Sequence, residues 1–201
     1  MLGVGYLLMT RGLEHATTTV IVGALAGVVY SGWVRSYAGL EALDSRPGGG
    51  SGAEQGYKVI LQNTLHAAAE GVAIGVAMAM ELPLGVFLAV ALAVHNVGEA
   101  MALTDVLRRL GMTAGESAGL AVVTNVPQPL LAIVAFALSP ALESSFPALV
   151  GFAAASLVFL TLTEVVPDSY RRADARLVAF LVSTTAGVVV FLQAVLQGDG
   201  T

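Results

Sequence analysis

Six apolar runs, each close to twenty residues long, follow one another along this chain: 17–34, 59–80, 84–107, 117–138, 146–166 and 177–196. Nothing in the sequence constrains the fold more. A helix rises about 1.5 Å per residue, so runs of this length match the ~30 Å of hydrocarbon in a bilayer. Within lipid a backbone can satisfy its own polar groups only as a helix or a closed barrel, and barrel strands are far shorter. The expected fold class is therefore all-α, a polytopic transmembrane helix bundle. Residues 1–13 are apolar but would form only about 20 Å of helix, which gives six spans plus a short N-terminal seventh. Composition agrees: 56% of residues are hydrophobic and 11% charged, too apolar for a soluble core. The opening "MLGVGYLLMTRG" has no basic stretch before its apolar part and no small-residue cleavage site, so no secretory leader is expected.

Punctuation between the runs is clear. "MELPLG" makes a tight turn at Pro83, while "SPALESSFP" and "PDSYRRADAR" separate the later runs. The longest connection, residues 35–57, contains "SRPGGGSG" and has the composition of a flexible, solvated loop. The whole chain, 1–201, is expected to be one transmembrane domain with this loop inside it.

Charge then sets an orientation. Arg35, Arg46, Lys58, Arg108, Arg109, Arg171, Arg172 and Arg176 all fall on alternate connections, leaving Arg11 on the other side. Positive charge stays in the cytoplasm, so the glycine-rich loop is expected there and the C-terminus outside, in a plasma (inner) membrane. The net charge of -5 offers no basic face for nucleic acid, and the absence of cysteine rules out disulfides and thiolate metal sites. The partners expected are the lipid bilayer and a small ion; a homodimer is left open.

Against this background, "NTLHAAAEGVAIG" and "AVHNVGEAMAL" stand out. Each places a histidine and a glutamate at i and i+4, on one helix face: His66 with Glu70, and His95 with Glu99. The short turn at Pro83 makes their helices antiparallel neighbours. By helical rise, Glu70 and His95 lie about 19 Å from that turn, and His66 and Glu99 about 25 Å. The hairpin is thus expected to stack Glu70 against His95 and His66 against Glu99 in the middle of the membrane. A charge at that depth costs on the order of 2.5–3.5 kcal/mol on insertion scales. It is tolerated when paired, protonated or facing an ion. Two imidazoles and two carboxylates form an N2O2 donor set suited to Zn²⁺, and acceptable to Fe²⁺, Mn²⁺ or Co²⁺. One such pair alone would read as interhelical hydrogen bonding; two copies at matching depth favour an ion.

Other polar residues in the runs are less specific. Asn125 and Gln128, in "TNVPQPLL", are flanked by Pro127 and Pro129, which remove backbone donors and kink a helix. Asn96 adjoins His95 and is a candidate ligand or interhelical hydrogen bonder. Glu14 and His15 on the outer side, and Glu164 on the cytoplasmic side, are candidates for the ion's way in and out. Gly23 and Gly27, like Gly71 and Gly75, have the small-xxx-small spacing that lets helices approach closely.

"LHAAAEGVAIG" followed by "LAVHNVGEAMA" resembles the fourth and fifth helices of the ZIP family of divalent metal transporters, whose motifs read HNxPEG and H(N/D)xPEG. "NVPQPLLA" resembles the next helix of that family and "LTEVVPDSY" its penultimate one. The resemblance implies an eight-helix plan that here would lack its first helix. It also implies a metal site at His66, Glu70, His95 and Glu99, with transport of Zn²⁺ or a similar ion towards the cytoplasm by alternating access. The departures are Ala67, Ala69, Gly98 and Ala100 within the paired motifs, and Gln128 where the family carries an acid. A second, neighbouring site of the family would retain only Asn96, Gln128 and the shared glutamates, so one occupied site is expected. No ATP-binding motif occurs, so movement would follow the ion gradient, and no catalytic cofactor is expected because the metal is cargo. The rivals are an intramembrane metal-dependent hydrolase, which would need a spare acid or base beside the metal, and a degenerate relative that no longer transports. Transporter, not enzyme, is the reading the residues favour.

Overall fold

A computed structural model describes residues 2–38, 52–142 and 144–198. Among these the chain is all-helical: α1 (Leu2–Ala38), α2 (Gly52–Met80), α3 (Leu82–Arg109), α4 (Ala114–Thr124), α5 (Pro127–Leu138), α6 (Phe146–Leu160), α7 (Val166–Arg172) and α8 (Ala175–Gly198), with a π-helical turn, Thr161–Val165, between α6 and α7. Among the described residues, four stretches are long and apolar enough to cross a membrane: Ala16–Ser36, Leu82–Arg109, Ala114–Leu138 and Phe146–Thr163. The described part of α8 adds a shorter apolar helix, Ala175–Val188. Most of the glycine-rich loop lies outside the described residues.

The short N-terminal piece and the first full span stay two separate helices, both packed along α6, although α1 is named over the pair. α1 runs through both and breaks at Ala16, whose φ of -157° and ψ of 79° are extended rather than helical. The expected run 117–138 is likewise two helices. α4 stops at Thr124 and α5 starts at Pro127, because a proline cannot donate the backbone hydrogen bond that a continuous helix requires. α2 and α3 form the expected hairpin, turning at Glu81, which adopts an extended conformation before Pro83 in the first turn of α3.

α2 sits at the centre of the bundle, packing on α1, α3, α4, α5 and α6, and most extensively on α5. It is long, 29 residues, yet it falls outside the four apolar stretches because Gln62, Asn63, His66 and Glu70 interrupt it. Its polar residues are hidden inside: Gln62, His66 and Glu70 are all buried. α1 packs most closely on α6. A side chain at Gly23 would collide with the backbone of Ala148, and one at Gly71 with the backbone of Gln128. Both small-xxx-small pairs therefore serve close approach, since Gly27 and Gly75 meet the backbone of α6 and α5 in the same way. The apolar core around them joins Val4 and Leu8 of α1, Ala73 to Ala77 of α2, Leu88 and Leu92 of α3, Ala132 of α5 and Val150 to Leu157 of α6. Outward-facing Val86, Val90, Val94, Val97 and Met101 of α3 are exposed, as expected for a helix whose outer face meets acyl chains.

Candidate metal-binding site

The i, i+4 spacing on α2 and on α3 brings both histidine–glutamate pairs to the face where these helices meet. The ligand atoms of His66, His95 and Glu99 all lie within 4.8 Å of one another. His66 Nε2 stands 3.3 Å from Glu70 Oε1 and 3.9 Å from Glu99 Oε1. A tetrahedral ion with bonds of about 2.0–2.2 Å separates neighbouring donors by roughly 3.3–3.6 Å. The cluster is therefore at most roughly 1.2–1.5 Å wider than such an ion requires. Its charge is sheltered: the side chains of His66, Glu70 and Glu99 are 5%, 0% and 17% exposed. Carboxylates so enclosed among apolar helices call for a positive partner.

The expected layer of His66 against Glu99 is present. Glu70 is arranged differently from the simple stack with His95: it lies outside the tight group of three, and its second oxygen is taken by α5. Gln128 Nε2 donates to Glu70 Oε2 at 3.0 Å, and Gln128 Oε1 in turn accepts from Asn96 Nδ2 at 2.6 Å. Three helices thus meet in one polar chain, Asn96–Gln128–Glu70. The break between α4 and α5 and the missing side chain of Gly71 together let Gln128 reach Glu70. That role as a hydrogen-bond donor was not legible from spacing within a single helix. The proline-flanked motif marked the residue but not its partner.

The remaining candidates divide. Asn125 turns back on its own helix, its Nδ2 donating to Ala121 O at 2.9 Å, while its Oδ1 is buried without a hydrogen-bond donor. Asn63, one turn before the site, donates to Thr124 Oγ1 at 3.1 Å and so ties α2 to the end of α4. The Tyr30 hydroxyl donates to Leu65 O at 3.0 Å, anchoring α1 to the same stretch of α2. Neither contact was foreseen. Glu14 is exposed on α1, and the side chains of His15 and Glu164 lie outside the described residues. Glu164 belongs to the π-helical turn, where Arg35 Nη1 donates to Thr163 O at 2.6 Å and ties α1 to the turn. At the other end of α2, a cavity of about 770 Å³ opens among Arg11, Gly12, Met80, Glu81, Pro140 and Phe146. Two of its lining residues form an ion pair, Arg11 Nη2 to Glu81 Oε2, at 3.6 Å.

No family model matches the chain, but curated proteins do. The zinc transporter GufA of Myxococcus xanthus is 30% identical over 173 residues, which cover 81% of this chain and 67% of GufA. The chain belongs to the ZIP family. The putative zinc transporter At3g08650 of Arabidopsis thaliana is 32% identical over 187 residues, 89% of this chain but 30% of that protein. The zinc transporter ZIPB of Bordetella bronchiseptica is 30% identical over 113 residues, 56% of this chain and 37% of ZIPB. This ZIP-family chain thus spans only about a third of two of the relatives it matches. Family and apolar helices together make it an integral membrane protein.

Proposed function

We propose that this ZIP-family chain forms the membrane part of a transporter that moves Zn²⁺, or a similar divalent ion, towards the cytoplasm. The observation that carries the reading is the buried gathering of His66, His95 and Glu99 on the α2–α3 hairpin, with Glu70 against His66. A dication offsets the two carboxylates and exchanges its water for imidazole and carboxylate donors, so a full charge is handled in the middle of the bundle without exposure to lipid. The names of the relatives point to zinc. Borderline imidazole donors with carboxylates are also compatible with Fe²⁺, Mn²⁺ or Co²⁺.

The finer reading rests on the sequence. Six spans and a shorter seventh, forming one domain, place the 35–57 loop in the cytoplasm and the C-terminus outside, in an inner membrane. Zinc then enters by the cavity at Arg11 and Glu81 and passes to the histidine–glutamate cluster. It leaves towards the end of the bundle that carries Glu164. Glu14 and His15 remain the candidates for the outer side of the ion's path, and Asn96, Gln128 and Asn125 support the central site without adding a second ion. The test is radiolabelled zinc uptake by proteoliposomes. Glu70→Ala and His95→Ala are expected to abolish uptake while the protein still inserts; uptake persisting unchanged in both variants would refute the proposal.

A further inference from the structure

The chain Asn96–Gln128–Glu70 has a direction, and that direction bears on how Glu70 meets a cation. Glu70 is fully buried and Gln128 is 8% exposed, so neither exchanges its partner for water. The carboxamide of Gln128 has one donor end and one acceptor end. Its Nε2 faces Glu70 Oε2 at 3.0 Å, and its Oε1 faces the Asn96 amide nitrogen at 2.6 Å. Turning the amide over would set its oxygen against a carboxylate and its NH2 against another NH2. Both contacts would become repulsive, so Asn96 holds Gln128 in the one orientation that can donate to Glu70. The donated hydrogen bond occupies Oε2. Oε1 is left on the opposite side, 3.3 Å from His66 Nε2 and without a hydrogen-bond donor. A hydrogen bond to a charged acceptor is among the stronger kinds, and stronger still when water is excluded.

We infer that Gln128 is a positioning residue for a bound divalent cation: it turns Glu70 so that Oε1 alone is offered to the ion, and Asn96 fixes the amide that does so. The inference rests on the cation-binding reading above and adds to it the means by which the fourth donor is aimed. Because the second oxygen is already engaged by a neutral amide, Glu70 serves one ion as a monodentate ligand. Partners that orient metal ligands in this way are worth about 10- to 100-fold in affinity.

The test is Zn²⁺ titration of the purified full chain by calorimetry. Gln128→Met keeps an unbranched side chain of similar length but removes the donor, and it is made alone and in a Glu70→Gln background. The expected result is a loss of about 10- to 100-fold from Gln128→Met in the parent, and no further loss in Glu70→Gln, because the two changes act through the same oxygen. Asn96→Leu, which frees the amide to turn, is expected to weaken binding in the same direction by a smaller factor, and it decides the matter if Gln128→Met does not fold. Parent-like affinity in Gln128→Met, with Glu70→Gln weakened, overturns the inference and leaves the cation site standing. Equal losses in both backgrounds overturn it too, since they mean that Gln128 acts only on packing. Parent-like affinity in Glu70→Gln removes the cation reading itself and the inference with it.

Discussion

A single methyl group at Gly71 is expected to disable the site without touching any proposed ligand. A Cβ at this position would stand 2.9 Å from Gln128 Cα and 3.0 Å from its carbonyl carbon, with the carbonyl oxygen nearer still. Carbon atoms in ordinary contact sit about 3.5–4.0 Å apart, so α2 and α5 must separate by at least about 0.6 Å. Every atom in the way is backbone, and no rotamer change can relieve the clash. A 3.0 Å hydrogen bond from Gln128 to Glu70 stretched by that amount reaches about 3.6 Å, where it ceases to be one. Overpacking of this kind costs about 1–3 kcal/mol, and a metal site tolerates displacements of only about 0.2 Å. Gly71→Ala is therefore expected to lower the thermal unfolding midpoint and to raise the KM for zinc uptake in proteoliposomes by about tenfold. Gly98→Ala is the control: it adjoins Glu99, but a Cβ there meets nothing within 4 Å, so both quantities should stay at the parent's values. If Gly71→Ala and Gly98→Ala behave alike in both assays, the close packing of α2 on α5 does not hold the site, and the reasoning fails.

Two further outcomes follow from the ends of the bundle. Thr113 caps α4 in a reciprocal arrangement, its Oγ1 accepting from Glu116 N at 3.3 Å while its own N–H donates to Glu116 Oε2 at 2.9 Å; Thr113→Ala should cost roughly 1 kcal/mol of stability with zinc uptake unchanged, and an unchanged unfolding midpoint would show the cap to be idle. The Arg11–Glu81 pair is partly solvated on both sides, so Arg11→Ala should shift stability by less than about 1 kcal/mol, a limit that chemical unfolding would expose if the pair instead braces the fold.

How far the sequence reached is clearest at particular residues. The spans of α3 and α6 were legible because a helix that crosses a bilayer stays mostly apolar over about twenty residues, whether it faces lipid or the bundle core. The α2–α3 hairpin and the His66–Glu99 layer followed from helical period and a one-residue turn, which depend only on local geometry. Gly23 and Gly71 were marked as packing positions for the same reason. What stayed hidden depends on how separate helices meet. The π-helical turn at Thr161–Val165 has no sequence period of its own, and its Thr163 carbonyl meets Arg35 of α1, far away in the chain. Gln128 was visible as a polar residue between prolines, but its aim at Glu70 needs the approach of α5 to Gly71. The central donors were thus readable, and the contacts that orient them were not.

X-ray absorption at the zinc edge tests the central claim most directly, applied to the purified chain loaded with one equivalent of Zn²⁺. The account predicts a tetrahedral ion with two imidazoles and two oxygens at about 2.0–2.2 Å, and the loss of one imidazole from the spectrum of His95→Ala. Zinc that fails to bind, or a spectrum that His66→Ala and His95→Ala both leave unaltered, would contradict it.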